Sequence, residues 1–349
     1  MYAGRCKRIK ETSPLVSEIQ QTRTYRFHGL EFRVSCSPAI AESLDGRFRL
    51  LSFDGEHRDS ISFDFKSVSD PTEHRVEKPQ GEGRSFYDLP SGECLYFRAE
   101  DQVYLSYGSG VRVLSGLKLG CASFSIVEPD PGNLFMASHL MLTILLVEML
   151  KRRGLYSMHA AGFSKDGKAV LIPGTSGAGK STLAITLLRG GFGYLSDDMV
   201  FLRRRSDGLG VLSFPEDVDV SDKTISFFPE LDFLGRIPKA VGWPKKQVRT
   251  DEVYGSELVS EAQPGAIIIP RISGKERSNI RPVTADEALL EIVSNVLLTD
   301  GRSCQSHLDI LTELVRQTPC YRLETGRDFD RIPVLLAELL SVSREEIHA

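Results

Sequence analysis

The sequence predicts an α/β protein: a β-rich N-terminal domain, then a domain in which strands and helices alternate. Three observations predict it. Short strand-like segments at close spacing fill the first third of the chain. A long apolar helix follows a Pro/Gly-rich boundary near residue 129. A strand, a glycine-rich loop and a helix then succeed one another directly over residues 169–189. The expected division is 1–128 for the β-rich domain, 129–154 for a connecting buried helix and 155–349 for the second domain.

Composition permits this architecture. The chain has 349 residues, 41% hydrophobic and 26% charged, an ordinary balance for burying a core. The net charge of −4 argues against a nucleic-acid or membrane-surface binder, and Arg203, Arg204 and Arg205 read as a solvated face. The six cysteines, at 6, 36, 94, 121, 304 and 320, form no C-x-x-C pair. Neither a zinc knuckle nor a redox motif is indicated, and reduced thiols in the cytoplasm are expected. The basic N-terminus lacks a following apolar run, so no signal peptide is expected. The longest apolar run, 140–147, falls short of the roughly 20 residues that span a bilayer. Neither nucleic acid nor membrane is an expected partner.

Residues 1–25 are polar and read as a loosely held arm. Segments 25–28 and 30–34 alternate apolar and polar residues, as half-buried strands do. Ser37-Pro38 opens a short helix over 39–44, with serine as cap and proline in the first turn. Asp45-Gly46 reads as a turn, and 48–53 and 61–65 as further strands. Residues 67–84, rich in charge, Pro and Gly, form a surface loop. Strands over 93–99, 103–107, 111–114 and 121–127 then make a meander. His28, His57 and His74 lack metal-ligand spacing, and this domain shows no catalytic constellation.

A strongly apolar helix covers 135–153, with Lys151, Arg152 and Arg153 in its last turn and Gly154 as a stop. His139 and Glu148 on it read as locally satisfied groups. A strand over 155–163 turns at 165–168 into the strand before the glycine loop, which sets His159 beside that loop. After a strand ending near 202 come a polar turn over 203–210 and a strand over 211–214. Segments 220–231 and 237–251 are loop-like and suited to lie over a site. A buried strand over 265–269 is ended by Pro270. Helices follow over 284–298, opened by a Thr284/Glu287 capping box, over 304–317 and over 332–341, with a short strand over 320–323.

Gly174, Gly179, Lys180 and Ser181 fit G-x-x-x-x-G-K-[ST], the phosphate-cradling P-loop, between a strand and a helix as the motif requires. Glycines let backbone N–H groups approach a polyphosphate, and the helix N-terminus adds partial positive charge. The expected nucleotide contacts are Gly174, Thr175, Ser176, Gly177, Ala178, Gly179, Lys180, Ser181 and Thr182. Lys180 would reach the β- and γ-phosphates of ATP, and the Ser181 hydroxyl would ligate Mg²⁺. Two carboxylates, Asp197 and Asp198, follow only seventeen and eighteen residues after Lys180. One would hold Mg²⁺ with Ser181, and the other would take a proton from an attacking hydroxyl or water. His159 could tune that base. A transferring phosphoryl group also needs cationic cover. Lys245, Lys246 and Arg271 are candidates, and Arg271 is the one favoured.

His159-Ala-Ala-Gly, the GTSGAGKST loop and Leu195-Ser-Asp-Asp198 together resemble the catalytic core of the HPr kinase/phosphorylase family, which is akin to ATP-dependent phosphoenolpyruvate carboxykinases. The resemblance covers residues 159–198 well and extends more weakly to the C-terminus. It implies an HPr-kinase/PEP-carboxykinase-like P-loop domain with a mixed sheet and flanking helices. It also implies Asp197 as general base toward a serine hydroxyl, Asp198 as Mg²⁺ ligand beside Ser181, and His159 as partner of Asp197. The family's later Arg-Gly-Leu-Gly-like stretch has no counterpart here. The chain looks more like divergent HPr-kinase-like proteins of peptide natural-product pathways, including those that phosphorylate lasso-peptide precursors. A homo-oligomer would be in keeping with such a family.

The expected activity is ATP- and Mg²⁺-dependent transfer of the γ-phosphoryl group to a serine or threonine hydroxyl of a peptide or small protein. The alternatives are a small-molecule kinase of the same fold and a non-catalytic nucleotide-binding regulator. An ABC-type ATPase is disfavoured by the lack of an L-S-G-G-Q-like signature, and a GTPase by the lack of N-K-x-D.

Overall fold

The computed structural model describes residues 20–51, 59–78, 84–89, 92–99, 101–128, 130–175, 177–239, 245–294, 296 and 301–341. They form a mixed α/β structure with two large sheets. The first contains β1 (Gln21–Phe27), β2 (Leu30–Cys36), β3 (Asp59–Val68), β4 (Arg84–Leu89), β5 (Gly92–Ala99), β6 (Gln102–Tyr107), β7 (Val111–Gly116) and β8 (Cys121–Val127). Their order is β1-β2-β3-β8-β7-β6-β5-β4. Alternation sends Leu30, Phe32, Val34 and Cys36 of β2, and Ile61, Phe63 and Phe65 of β3, to one buried face.

The meander from β4 to β8 is antiparallel throughout, but β3 pairs in parallel with both β2 and β8. The β2–β3 parallel step needs a crossover, supplied by the helix Pro38–Arg47. This corrects two expectations. Asp45 and Gly46 lie within that helix, and the Phe48 amide donates to the Leu44 carbonyl at 2.8 Å. Ile40, Leu44 and Phe48 recur every four residues and are all buried, so Phe48 extends a helical face and does not begin a strand. Residues 52 and 53 lie outside the described residues. So do 1–19 of the expected arm, whereas 21–25 belong to β1.

The helix Pro131–Lys151 follows, with a wide π-helical turn over Met136–Met141. With a mean hydropathy of 1.7 it is long and apolar enough to cross a bilayer, yet 67% of that window is buried inside the protein. Its residues from Met136 to Leu150 join the core beneath the first sheet.

The second sheet uses β9 (Tyr156–Lys165), β10 (Lys168–Pro173), β11 (Gly193–Ser196), β12 (Met199–Arg205) and β13 (Gly208–Leu212). A small ribbon of β14 (Val218–Val220) and β15 (Lys246–Val248) precedes its last strands, β16 (Glu261–Ile272), β17 (Asn279–Pro282) and β18 (Cys320–Thr325). The order is β10-β9-β12-β13-β16-β18-β17, with β11 also on β9. Because β16 pairs with β10 as well as β13, five of these strands close a ring. Helices Lys180–Arg189 and Arg331–Ser341 pack on one face, and Ala285–Val293 and Gly301–Gln317 on the other.

Pro270 does not end its strand. β16 runs on to Ile272, and Pro270 pairs with Leu323 of β18. The Ile267 amide donates toward β18, so residue 270 has its nitrogen on the opposite edge. There β10 has stopped pairing at Ile267, and no N–H is needed. Thr284 caps its helix by accepting from the Glu287 amide, and that helix ends at Val293.

Candidate active site

Strands β10, β16 and β18 are parallel neighbours, so their carboxyl ends open at one edge of the sheet. Strand β11, across antiparallel β9, runs the same way. The loops after these four strands surround a cleft of about 680 Å³. In α/β folds, ligands bind at the carboxyl ends of parallel strands.

The loop after β10 carries Thr175, Gly177, Gly179, Lys180, Ser181 and Thr182 into the cleft wall. Gly179 holds φ +98°, a left-handed conformation that side chains disfavour, immediately before the helix begins at Lys180. A Cβ on Gly174 would stand 3.1 Å from that of Ala178, closer than side chains ordinarily pack, so glycine there suits the tight closure of the loop. Thr182 turns toward the short helix Asp222–Ile225, its Oγ1 lying 3.1 Å from that of Thr224. Ser176 lies outside the described residues.

Lys180, His159 and Asp198 form a chain. The Lys180 Nζ donates to the Gly174 carbonyl and lies 3.0 Å from His159 Nε2. An ammonium has only donors, so Nε2 accepts and the ring hydrogen sits on Nδ1. That atom faces Asp198 Oδ1 at 3.3 Å. Burial lowers the Lys180 pKa, against the opposing pull of Asp198 and Asp197.

The two aspartates part company where β11 ends. Ser196 Oγ donates to the Phe214 carbonyl and accepts from the Met199 amide at 3.1 Å, which fixes the bend holding both. Asp197 turns inward and is only 8% exposed. Its Oδ2 accepts from the Asp219 amide at 3.2 Å, and its Oδ1 is shut from water without a partner among the described residues. Burial, with Asp198 and Asp219 nearby, pushes its pKa up to about 7. Asp198 opens into the cleft, its side chain 68% exposed. Desolvation on the cleft floor opposes its charge, but the His159 hydrogen bond and the nearby lysines 180 and 245 outweigh it and hold the pKa below the usual carboxylate value.

Three expectations change. The carboxylate partner of His159 is Asp198, not Asp197, because Asp197 turns away into the protein. Arg271 is not among the cleft-lining residues, whereas Ile272 is. Once β16 continues past Pro270, alternation puts residue 271 on the other face from 270 and 272. Lys246 spends its ammonium on the Leu234 and Gly235 carbonyls, and the lining cations besides Lys180 are Arg47, Lys223, Lys245, Lys275 and Arg327. Asp219, Phe227, Thr325 and Phe329 also line the cleft and went unnoticed in the sequence. Gly274 and Gly326, just past two strand ends, were the signal available for that wall.

The cleft also reaches the N-terminal sheet's crossover helix and the π-helical turn, through Gly46, Arg47 and His139. Arg47 donates to Glu216 Oε1 at 2.8 Å and to the Ser138 and His139 carbonyls. Arg49 binds both oxygens of Asp217 and also Asp251.

No protein-family model matches the sequence, and no curated protein matches it. Among solved structures the chain is similar to the Hpr(Ser) kinase/phosphatase from Coxiella burnetii, with a TM-score of 0.30 and 14% identity over 55% of this chain and 99% of that one. A likeness of that size leaves function to this chain's own residues.

Proposed function

We propose that the protein is a phosphotransferase that moves the γ-phosphoryl group of ATP, with Mg²⁺, to a serine or threonine hydroxyl of a peptide or small protein. One observation carries the reading. Lys180, His159 and Asp198 form a chain along the cleft, and the adjacent Asp197 is buried where Asp198 is exposed, so their surroundings push the two pKa values apart, one up to about 7 and one below the ordinary range. Such a split divides base from metal ligand.

The residues suit both ligands. The glycine cradle and Lys180 fit a polyphosphate. Ser181 and Asp198 would hold Mg²⁺, which favours one or two protein oxygens with substrate phosphates completing its shell. Bound there, the ion would neutralise charge on the β- and γ-phosphates. His159 holds Asp198 ionised and oriented. Asp197, which borders the cleft, receives the acceptor's proton as the acceptor oxygen bonds to the γ-phosphorus. The bond from γ-phosphorus to the bridging oxygen breaks, and ADP leaves with that electron pair. A base with a pKa near 7 is matched to this task at neutral pH.

The test is incubation with labelled ATP, Mg²⁺ and peptides ending in serine. Label should pass to the peptide, and label on no peptide would remove the assigned acceptor class.

A further inference from the structure

In sheet order, Asp197 and Asp198 follow β11 on one side of the P-loop strand, while Thr325 ends β18 on the other and Gly326 and Phe329 follow it. The second side of the cleft differs in chemistry. All five carboxylates among the cleft-lining residues fall between 197 and 219. The wall beyond β18 carries two phenylalanines, a threonine, backbone and cations.

We propose that Phe227, Phe329 and Thr325 form the subsite for a purine base, a proposal that rests on the nucleotide reading above. Phe227 and Phe329 both line the cleft, with ring centroids 5.3 Å apart and planes at 45°. Phe329 is backed by the fully buried Phe228 at 5.4 Å, so the ring is held in place. Thr325 Oγ1 is closed off from water and has no hydrogen-bond partner among the described residues. A buried hydroxyl without a partner is costly, and since Thr325 lines the cleft, rotation about χ1 would turn it out to the polar edge of a base. An apolar ring face with one unpartnered hydroxyl on the same cleft wall describes a heteroaromatic ligand better than a peptide backbone or a sugar.

The wall is also tied to the phosphate cradle. The segment bearing Phe227 follows the Asp222–Ile225 helix, which meets the P-loop helix through Thr224 and Thr182. The loops after β16 and β18 brace each other: the Gly326 amide donates to Ser278 Oγ at 3.0 Å, and the Arg327 amide to the Glu276 carbonyl at 3.1 Å. A purine offers a larger stacking face than a pyrimidine, so the two rings favour it.

The experiment is calorimetric titration of the full chain with Mg²⁺-ATP, Mg²⁺-CTP and Mg²⁺-tripolyphosphate. The native protein should bind ATP more tightly than CTP. Phe329→Ala and Phe227→Ala should each weaken ATP about tenfold, the scale of one base–aromatic stack, with tripolyphosphate changed less than twofold. Thr325→Val keeps the side-chain volume and serves if the phenylalanine variants fail to fold. It should weaken ATP severalfold and leave tripolyphosphate alone. Equal losses for ATP and tripolyphosphate, or undiminished ATP affinity in folded variants, would overturn the subsite. Native protein that binds tripolyphosphate but shows no preference for ATP would overturn it too, with the P-loop reading intact. Native protein that binds neither would overturn the nucleotide reading itself.

Discussion

Asp197 and Asp198 are neighbours in sequence with opposite surroundings, and that contrast makes the site testable residue by residue. Asp197→Asn should cut transfer at least a hundredfold, the usual scale of a general base, while ATP affinity stays within about twofold. Retained transfer would remove Asp197 from the base role. The raised pKa also has a stability consequence. Folding holds the Asp197 proton more tightly than the unfolded chain, whose carboxyl titrates near 4. The stabilisation is complete below about pH 4 and is lost as pH rises to about 7. An asparagine side chain cannot ionise, so thermal melts of the Asp197→Asn variant should lose this part of the pH dependence and show a Tm higher by a few degrees at pH 8. In the proposed mechanism transfer would run the other way, because it would need the ionised base. kcat/KM should climb through about pH 7 and then level, and a flat profile from pH 5.5 to 8 would contradict the assignment.

At the scale of elements, what the sequence showed and what it hid divide by whether the determining contacts are local. The strand, glycine-rich loop and helix over 168–189 were legible because the loop's glycines, lysine and serine lie within eight residues, and the strand and helix flanking it carry ordinary periodicity. His159 was legible as a neighbour because a four-residue turn joins its strand to β10. The partner of His159 was not, since it depends on which way the chain bends after Ser196, and Phe214 on another segment sets that bend. β17, the parallel pairing of β3 and the continuation of β16 past Pro270 were hidden for the same reason: each is decided by a strand distant in sequence. The misplacement of Arg271 followed from ending β16 too early. Lys180→Ala tests the legible part. It removes the contacts to Gly174 and His159 together with the phosphate-facing charge. Mg²⁺-ATP binding should weaken by about tenfold or more, and unchanged binding would end the P-loop reading.

Across the whole molecule, the two sheets share a core. Phe201, Leu212 and Phe214 of the second half pack in one cluster with Phe27, Phe32 and Phe48 of the first. Phe27 lies 5.2 Å from Phe201 and 5.4 Å from Phe214, edge to face. Polar contacts reinforce this seam at the rim of the cleft. The Arg47 side chain is only 6% exposed, and its guanidinium joins Glu216 to the carbonyls of the π-helical turn. Arg47→Ala strips a buried cation from that set, leaving the Glu216 carboxylate without its ion-pair partner and taking one donor each from the Ser138 and His139 carbonyls and Thr143 Oγ1, at a cost of about 3 kcal/mol. Arg47→Lys restores the charge but has no planar fork to span the four acceptors, so it should recover only part of the loss. Denaturant midpoints of the two variants would measure this. The segment that Arg47 grips, 216–219, carries the amide bonded to Asp197. Loosening the seam should therefore lower transfer more than it lowers ATP affinity. A stability loss with kcat unchanged would mean that the first sheet merely supports the fold and does not help set the position of the base.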